Sequence, residues 1–296
     1  MENSVGPALA FLSSVTWSLG VTAYSRLSQE YSAYLINASR ALWALPLFVA
    51  LSFLTLGWEG GIAAYAQVTP QNLGWLAGSI LASFVIGDAL FFLSSHQLGV
   101  PGALSIASTF PLWSAFLGWA VRGEQIGALG YLGVLVIVLG TVAVILSGYR
   151  KSEVKHSFWV GVGLAVAASW LWSLNTFSIA QGGEGLTTSV VNSVRMASAL
   201  IFCPLAGWLR TRQRQWVLPR PVLLRYGWLF CLEGFGGSFF FAYGLMHSPL
   251  AIGSVLSSLS PVLTALAALF YRRETFSPLT LIGALLVAFG TFLLLM

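Results

Sequence analysis

The chain has 296 residues, of which 57% are apolar, 14% aromatic and only 8% charged, whereas charged residues make up about 25% of an average soluble domain. Soluble enzymes, disordered chains and collagen-like fibres are excluded, because a water-soluble globule of this size could not cover itself with so few polar groups. At roughly 20 residues per bilayer crossing, ten helices would use about 200 residues. We therefore predict an all-α polytopic membrane protein with short loops.

Apolar runs separated by turn residues and charges predict ten transmembrane helices in chain order, over residues 5–24, 33–57, 73–95, 99–121, 126–148, 158–180, 187–209, 222–246, 249–271 and 278–296. The period-2 alternation of barrel strands is absent, so helices are the spanning elements. Cys203 and Cys231 lie inside apolar runs, and neither a disulfide framework nor a thiolate metal site is predicted from them.

Two sets of matching residues indicate an internal repeat. The first set recurs 155 positions further along the chain: Trp17-Ser18-Leu19 as Trp172-Ser173-Leu174, Asn37 as Asn192 and Arg40 as Arg195. The second set recurs after 150 positions: Pro111 as Pro261, Arg122 as Arg272, Glu124 as Glu274, Gly133 as Gly283 and Gly140-Thr141 as Gly290-Thr291. We predict a first five-helix repeat over residues 1–148, a connecting loop over 149–157 and a second five-helix repeat over 158–296.

An odd number of helices per repeat has a geometric consequence. The second repeat must enter the membrane from the face opposite to the first, so the two repeats are predicted to have inverted topology, with their relating axis in the membrane plane. Inverted repeats are common among transporters that work by alternating access, although a duplicated membrane protein can also be static.

Basic residues predict the orientation in the membrane. Loops after odd-numbered helices carry eleven Lys or Arg residues, whereas the other face carries only Arg122. The positive-inside rule then places both termini on the non-cytoplasmic side. Because basic residues at span ends explain the net charge of +5, no nucleic-acid partner is predicted. Minimal loops favour a prokaryotic inner membrane.

Four ionisable side chains lie well inside predicted spans: Arg40, Asp88, Arg195 and Glu233. Each costs about 2.5–3.5 kcal/mol at the centre of a helix exposed to lipid, so we expect them to face the interior. Arg40 and Asp88 lie at similar depths and can pair, whereas Arg195 has no evident acidic partner. If Glu233 is unpaired at rest, burial disfavours its charged form, which makes it the first candidate for a proton-coupled step. Alternatively, these residues form structural ion pairs, or Arg40 extends to the inner headgroups.

Further polar and aromatic residues are candidates for substrate binding. Asn37 with Arg40, and Asn192 with Arg195, are three positions apart and so share a helix face. The remaining candidates are two deep tryptophans and three hydrogen-bonding residues, namely Trp17, Trp172, Ser108, Asn175 and Ser258. The alternative is packing and interhelical hydrogen bonding, which contributes about 0.6 kcal/mol per bond in membranes.

Glycines of the fifth helix, from Gly123 and Gly127 to Gly140, allow close helix contacts, either within a monomer or at a homodimer seam. No H-E-x-x-H, G-x-S-x-G or phosphate-binding glycine-lysine motif occurs, so no catalytic residue, metal or cofactor is predicted.

The ends of the two repeats resemble a known family. Residues 122–141 read R-G-E-Q-I-G-A-L-G-Y-L-G-V-L-V-I-V-L-G-T and residues 272–291 read R-R-E-T-F-S-P-L-T-L-I-G-A-L-L-V-A-F-G-T. With Pro111 and Pro261 in the fourth helix of each repeat, the chain resembles the EamA-type branch of the drug/metabolite transporter superfamily over essentially its whole length. The resemblance implies secondary transport, often export of amino acids, other small metabolites or toxic amphiphiles. It also implies a central cavity within helices 1–4 and 6–9, with helices 5 and 10 at the periphery.

The functional prediction is a carrier whose halves rock around a central site. Arg40 or Arg195 would attract an anionic group such as a carboxylate, Trp17 and Trp172 would offer apolar surface, and Glu233 or Asp88 would couple transport to protons. The alternative is a flippase or binder of lipid-linked or amphipathic cargo. An intramembrane enzyme is disfavoured, since no nucleophile-base pair or metal-ligand cluster stands out.

Overall fold

A computed structural model describes residues 4–149, 158–212, 214–260, 262–263 and 278–295. The regular elements in these ranges are helical, and none is a strand. In chain order they are α1 (Val5–Glu30), α2 (Ala33–Ala66), α3 (Pro70–Ile80), a π-helical segment (Leu81–Gly87), α4 (Asp88–Ala107), α5 (Phe110–Arg122), α6 (Gly127–Tyr149), α7 (Phe158–Gly182), α8 (Thr188–Thr211), α9 (Arg220–Leu229), a second π-helical segment (Phe230–Gly237), α10 (Ser238–Met246), α11 (Leu250–Ser257) and α12 (Pro278–Leu295).

Five helical stretches are long and apolar enough to cross a membrane: Ala33–Ala66, Pro70–Leu98, Phe158–Gly182, Thr188–Thr211 and Arg220–Met246. Shorter apolar stretches, Val5–Val21 within α1 and Gly127–Ala143 within α6, accompany them. The predicted all-α fold is therefore confirmed for the described residues, and five helical stretches have the length and apolarity of membrane spans. Residues 150–157 and 264–277 lie outside the described part of the chain, and with them the connecting loop, the end of the ninth predicted helix and its loop, which contains Arg272 and Glu274.

The third and fourth predicted helices meet inside α4, which is helical across the predicted break. Its contacts show that the chain nevertheless turns back. Ser94 donates to the carbonyl oxygen of Gly161 near the start of α7, whereas Thr109 contacts Ser169, two turns further along α7. Since Asp88 lies beside Trp172 and Ser94 beside Gly161, α4 starts antiparallel to α7, and a straight helix would carry Thr109 beyond the start of α7. The chain direction therefore reverses between Leu98 and Thr109.

α6 and α12 cross at glycines. A Cβ added to Gly133 would lie 2.7 Å from the carbonyl oxygen of Gly290, and one added to Gly140 would lie 2.7 Å from that of Gly283. The helices are therefore antiparallel, and the absence of side chains lets their backbones touch. Each glycine contacts the repeat mate of the other, as expected for two copies related by a two-fold axis perpendicular to both helices.

Not every glycine between Gly123 and Gly140 lies at the contact between α6 and α12. Gly123 and Gly127 flank the connection between α5 and α6 with φ of +66° and +69°, a left-handed conformation that glycine adopts at little cost. They end one helix and begin the next, and a Cβ added to either would meet no atom within 4 Å, so they do not serve the predicted internal packing. Gly133 and Gly140 serve the internal packing that was one of the two predicted alternatives.

Irregular backbone occurs at matching places in the two halves. The π-helical segments Leu81–Gly87 and Phe230–Gly237 interrupt the third and eighth predicted helices. Residues Ser108 and Thr109 separate α4 from α5, and Ser258 follows the end of α11. Pro111 lies in the first turn of α5, where its missing N–H costs no hydrogen bond. These interruptions lie about 150 positions apart and border the same space between the helices.

Loop contacts define two ends of the bundle. At one end, Asn72 donates to the carbonyl oxygen of Gly182, and the backbone N–H of Leu250 donates to Glu124. At the other end, the backbone N–H of Leu218 donates to Ser39. Loops after even-numbered predicted helices therefore meet at one end, which we call the Glu124 end.

Candidate functional site

A cavity lies between the two halves of the chain and is lined by residues of predicted helices 1 to 4 and 6 to 9. Its volume is about 140 Å³, on the order of ten water molecules. Nine of the predicted site residues line it: Trp17, Arg40, Asp88, Ser108, Trp172, Asn175, Arg195, Glu233 and Ser258. The other two, Asn37 and Asn192, lie behind the wall, where each accepts a hydrogen bond from the arginine three positions later.

Arg40 forms a buried charge cluster with two carboxylates. Its Nη2 lies 2.8 Å from Glu233 Oε1 and 2.7 Å from Oε2, and its Nη1 lies 3.8 Å from Asp88 Oδ2. The Arg40–Asp88 pair that their similar depths allow is present. Glu233 is also paired, since Arg40 is its partner. Arg40 does not reach the headgroups, since its side chain is only 5% exposed.

Neutral groups hold both carboxylates in place. Asp88 accepts hydrogen bonds from Asn37 Nδ2 at 2.9 Å and from Trp172 Nε1 at 3.1 Å, and the hydroxyl of Tyr24 donates to Glu233 Oε2 at 2.9 Å. The Arg40 guanidinium also lies over three aromatic rings, those of Trp17, Tyr24 and Phe84, whose π faces attract a cation. The cluster thus contains one cation and two anions, with neutral donors bonded to both carboxylates, whereas Arg40 Nε has no hydrogen-bond partner among the described residues.

Arg195 has different surroundings, although it is the repeat mate of Arg40. Its Nε donates to Ser79 Oγ at 3.0 Å, its Nη1 to Asn192 Oδ1 at 3.0 Å and its Nη2 to Asn175 Oδ1 at 3.2 Å. All three acceptors are neutral. Among the described residues, no Asp or Glu forms an ion pair with Arg195, yet it is 2% exposed.

The different surroundings of Arg40 and Arg195 follow from residues that differ between the two repeats. At the offset of 150 positions, Asp88 corresponds to Ser238 and Glu233 corresponds to Ser83, and both serines line the cavity. Each half therefore keeps the Asn–Arg pair, but the two carboxylates surround only Arg40. With every group charged, the Arg40 side of the cavity is negative and the Arg195 side is positive.

Sequence reasoning missed several residues of this site. Tyr24 has no counterpart in the second repeat, since residue 179 is Ile179, and Ser79 is one of many serines in apolar helices. Ser83 and Ser238 could have been found by extending the 150-residue register to the third and eighth helices. Phe84, Phe110 and Phe241 add apolar wall, which no motif distinguishes from ordinary packing.

A second polar cluster lies at the Glu124 end. Arg122 Nε donates to Glu124 at 2.7 Å, and Arg122 Nη1 lies 3.2 Å from Glu184 of the other half. The second oxygen of Glu124 accepts from the backbone N–H of Leu250 at 2.6 Å, which satisfies a donor at the start of α11. This cluster joins the two halves by polar contacts outside the cavity.

The chain matches one protein family twice. The EamA-like transporter family matches residues 4–146 and again residues 159–296. An uncharacterized transporter of Archaeoglobus fulgidus is 25% identical over 193 residues, which are 65% of this chain and 65% of that protein. The chain thus spans about two thirds of the length of this relative. A solved crystal structure of a protein with 18% identity has a TM-score of 0.73, covering 97% of this chain and 94% of that one, which shows a shared fold.

Proposed function

The chain belongs to the EamA-like transporter family and is a membrane transporter, and from this premise we propose that it is a secondary active carrier of small metabolites, such as amino acids or aromatic compounds. Ten transmembrane helices would form two inverted five-helix repeats that expose the central cavity alternately to the two sides. The proposed location is a prokaryotic inner membrane, with both termini on the non-cytoplasmic side and export as the direction. The proposed partners are the lipid bilayer, a small-molecule substrate and protons, with the protein acting as a monomer or a homodimer.

One observation carries this proposal: the cavity is built by both halves and contains buried ionisable side chains at its wall. Intramembrane charges are costly and mark substrate or ion pathways. The exchange of glycine partners where α6 crosses α12 supports the inverted arrangement. Broken helices beside a midplane site are a feature of such carriers, and Ser108 and Ser258 stand at two such breaks.

The size of the cavity favours a small metabolite over lipid-linked cargo. A volume of about 140 Å³ holds on the order of ten waters, which is comparable with one small organic molecule. The walls combine aromatic faces from Trp17 and Trp172 with polar groups from Asn175 and Ser258. A compound with an apolar body and a polar end fits this lining.

The Arg40–Glu233 pair supports proton coupling through Glu233 in particular. Arg40 lies on α2 in the first half, whereas Glu233 comes from the second half, so their ion pair joins the parts that must move relative to each other. Asp88 belongs to the same half as Arg40. A proton on Glu233 would remove the charge that attracts Arg40 and so release the contact between the halves.

Uptake by proteoliposomes tests the transport function. We expect labelled amino acids or aromatic metabolites to accumulate when a pH gradient is imposed, because one pH unit stores about 1.4 kcal/mol per proton, enough for about tenfold accumulation. Liposomes without protein and proteoliposomes without a gradient are the controls. Equal uptake with and without the gradient would remove proton coupling, and no uptake of any cargo would remove the carrier function.

Cysteine labelling tests the inverted topology. Gln67 follows the second helix at the Glu124 end, and Arg214 follows the seventh helix at the other end. In a background without Cys203 and Cys231, we expect a membrane-impermeant maleimide to label Gln67→Cys in intact cells and Arg214→Cys only after permeabilisation. Parallel repeats would place the ends of the second and seventh helices on one side, so labelling of both variants in intact cells would contradict the proposal.

A further inference from the structure

We propose that Arg195 is the anion-binding subsite of the cavity and that it takes the carboxylate of a small monoanionic or zwitterionic ligand. The inference rests on the proposed transport function and adds the substrate group that the site selects. It also assigns different roles to the two intramembrane arginines. Arg40 belongs to an internal charge cluster, and Arg195 meets the ligand.

Arg40 and Arg195 occupy equivalent positions in the two repeats. Both follow an asparagine by three residues, and both donate Nη1 to its Oδ1, at 2.8 Å for Arg40 and 3.0 Å for Arg195. Arg40 is also held by the carboxylates of Asp88 and Glu233. The repeat mates of these two carboxylates are Ser238, in the second half, and Ser83, in the first half, and neither carries a charge.

Burying the cation of Arg195 without an ion-pair partner costs free energy. A buried charge is stable when a counter-charge and hydrogen bonds compensate for its lost hydration. Arg195 has three neutral acceptors, in Ser79, Asn175 and Asn192, and no ion-pair partner within the described ranges. A ligand carboxylate would supply the charge that Asp88 and Glu233 supply to Arg40.

The guanidinium of Arg195 has N–H groups available for a ligand carboxylate. A guanidinium has five N–H groups, and the three bonds of Arg195 use one on each nitrogen. One N–H on Nη1 and one on Nη2 are left for a ligand, and Arg195 lines the cavity. Two oxygens of a carboxylate match two N–H groups of a guanidinium. The neutral acceptors fix the orientation of the side chain, so little ordering is needed on binding.

The charge of the ligand follows from the single uncompensated charge of Arg195. One uncompensated cation is neutralised by one negative charge, so a monoanionic carboxylate fits better than a doubly charged phosphate. Arg40 cannot serve the same purpose, because two carboxylates already surround it. The aromatic faces of Trp17, Trp172 and Phe241 in the same cavity favour an apolar body on the ligand.

Binding to the purified full-length protein in nanodiscs tests this assignment. The probes are 3-phenylpropanoate, 4-methylpentanoate, L-phenylalanine and L-leucine, each measured beside its primary amide by thermal shift and tryptophan fluorescence. We expect at least one carboxylate to bind about tenfold or more tightly than its amide, since the amide loses the charge-assisted bonds. Equal binding of every acid and its amide, or binding by none of the acids, would overturn the proposal.

Three variants locate the effect. Arg195→Gln is expected to weaken binding of the carboxylate by about tenfold or more, whereas the exposed Arg225→Gln, which removes the same charge outside the cavity, leaves it unchanged. Ser238→Asp introduces into the second half a carboxylate at the position that corresponds to Asp88 in the first half. We expect this variant to fold, to melt at a higher temperature without ligand and to lose the carboxylate preference, so the test does not depend on the folding of Arg195→Gln. A preference retained in Ser238→Asp would contradict the assignment.

The assignment and the transport function can fail separately. Proteoliposomes that accumulate any cargo without a carboxylate preference would overturn the role of Arg195 and leave the carrier function standing. Carboxylate binding at Arg195 without uptake of that compound would overturn the carrier function and leave the binding site standing.

Discussion

Replacing Arg40 with Met is expected to lower the free energy of unfolding by about 3–5 kcal/mol, because removing one partner of a buried ion pair leaves an uncompensated charge. Glu233 and Asp88 would remain close together without the guanidinium that lies 2.7 Å and 3.8 Å from them. Unfolding of the purified protein by titration with SDS measures the loss. The exposed Arg225→Met, which removes a cation at the end of the bundle, is the matched control and should change stability little.

A double variant separates charge from packing. In Arg40→Met combined with Glu233→Met, the cluster loses one positive and one negative charge, so its net charge returns to that of the wild type. Well-packed apolar residues often replace a buried ion pair at no cost, so we expect the double variant to be more stable than Arg40→Met, although Asp88 still lacks its cation. An equally large loss in the double variant would show that shape, and not charge, stabilises this site.

The positions of the buried charges were predictable because hydrocarbon penalises them so strongly. Arg40, Asp88, Arg195 and Glu233 stand out in apolar helices, and a free-energy cost of about 2.5–3.5 kcal/mol each leaves an aqueous interior as the reasonable location. All four line the cavity. Repeat matching also predicted the symmetric placement of Trp17 and Trp172, since both tryptophans keep their place when the two halves are compared.

Pairing between charges was less predictable. Glu233 is 193 residues from Arg40, and only the packing of the eighth predicted helix against the first two brings them together. The sequence places Glu233 at a depth but does not fix the direction of its side chain. That direction depends on the π-helical segment Phe230–Gly237, which shifts the register of the helix and has no recognisable sequence pattern.

The boundary between the third and fourth predicted helices does not appear as a break in secondary structure, because the backbone stays helical there. The reversal between Leu98 and Thr109 contains no irregular stretch before Ser108, so the predicted break near residues 95–99 is visible only through the contacts of Ser94 and Thr109. The second helix was predicted to end at residue 57, and that end coincides with a break inside α2, where Gly57 has a non-helical φ of +72° and ψ of 177°. Glycine permits this local kink, after which the helix resumes.

Substituting Glu233 with Gln is expected to abolish accumulation driven by a pH gradient while leaving the fold intact. The amide retains an oxygen that can accept from Arg40 Nη2, which lies 2.8 Å from Oε1 in the wild type, and the Tyr24 hydroxyl can accept from the new N–H₂ group. Asp88 still provides a negative charge 3.8 Å from Arg40. The variant therefore resembles a permanently protonated Glu233.

Such a protein can still rock between its two open states, but no proton is released at the end of a cycle. Accumulation should fall from about tenfold per pH unit to equilibration, with counterflow exchange of labelled cargo preserved. Glu59→Gln, which neutralises an exposed carboxylate at the end of α2, should accumulate cargo like the wild type. If Glu233→Gln still accumulates cargo and Asp88→Asn does not, the coupling proton belongs to the carboxylate within the first half, and the ion pair between the halves is structural.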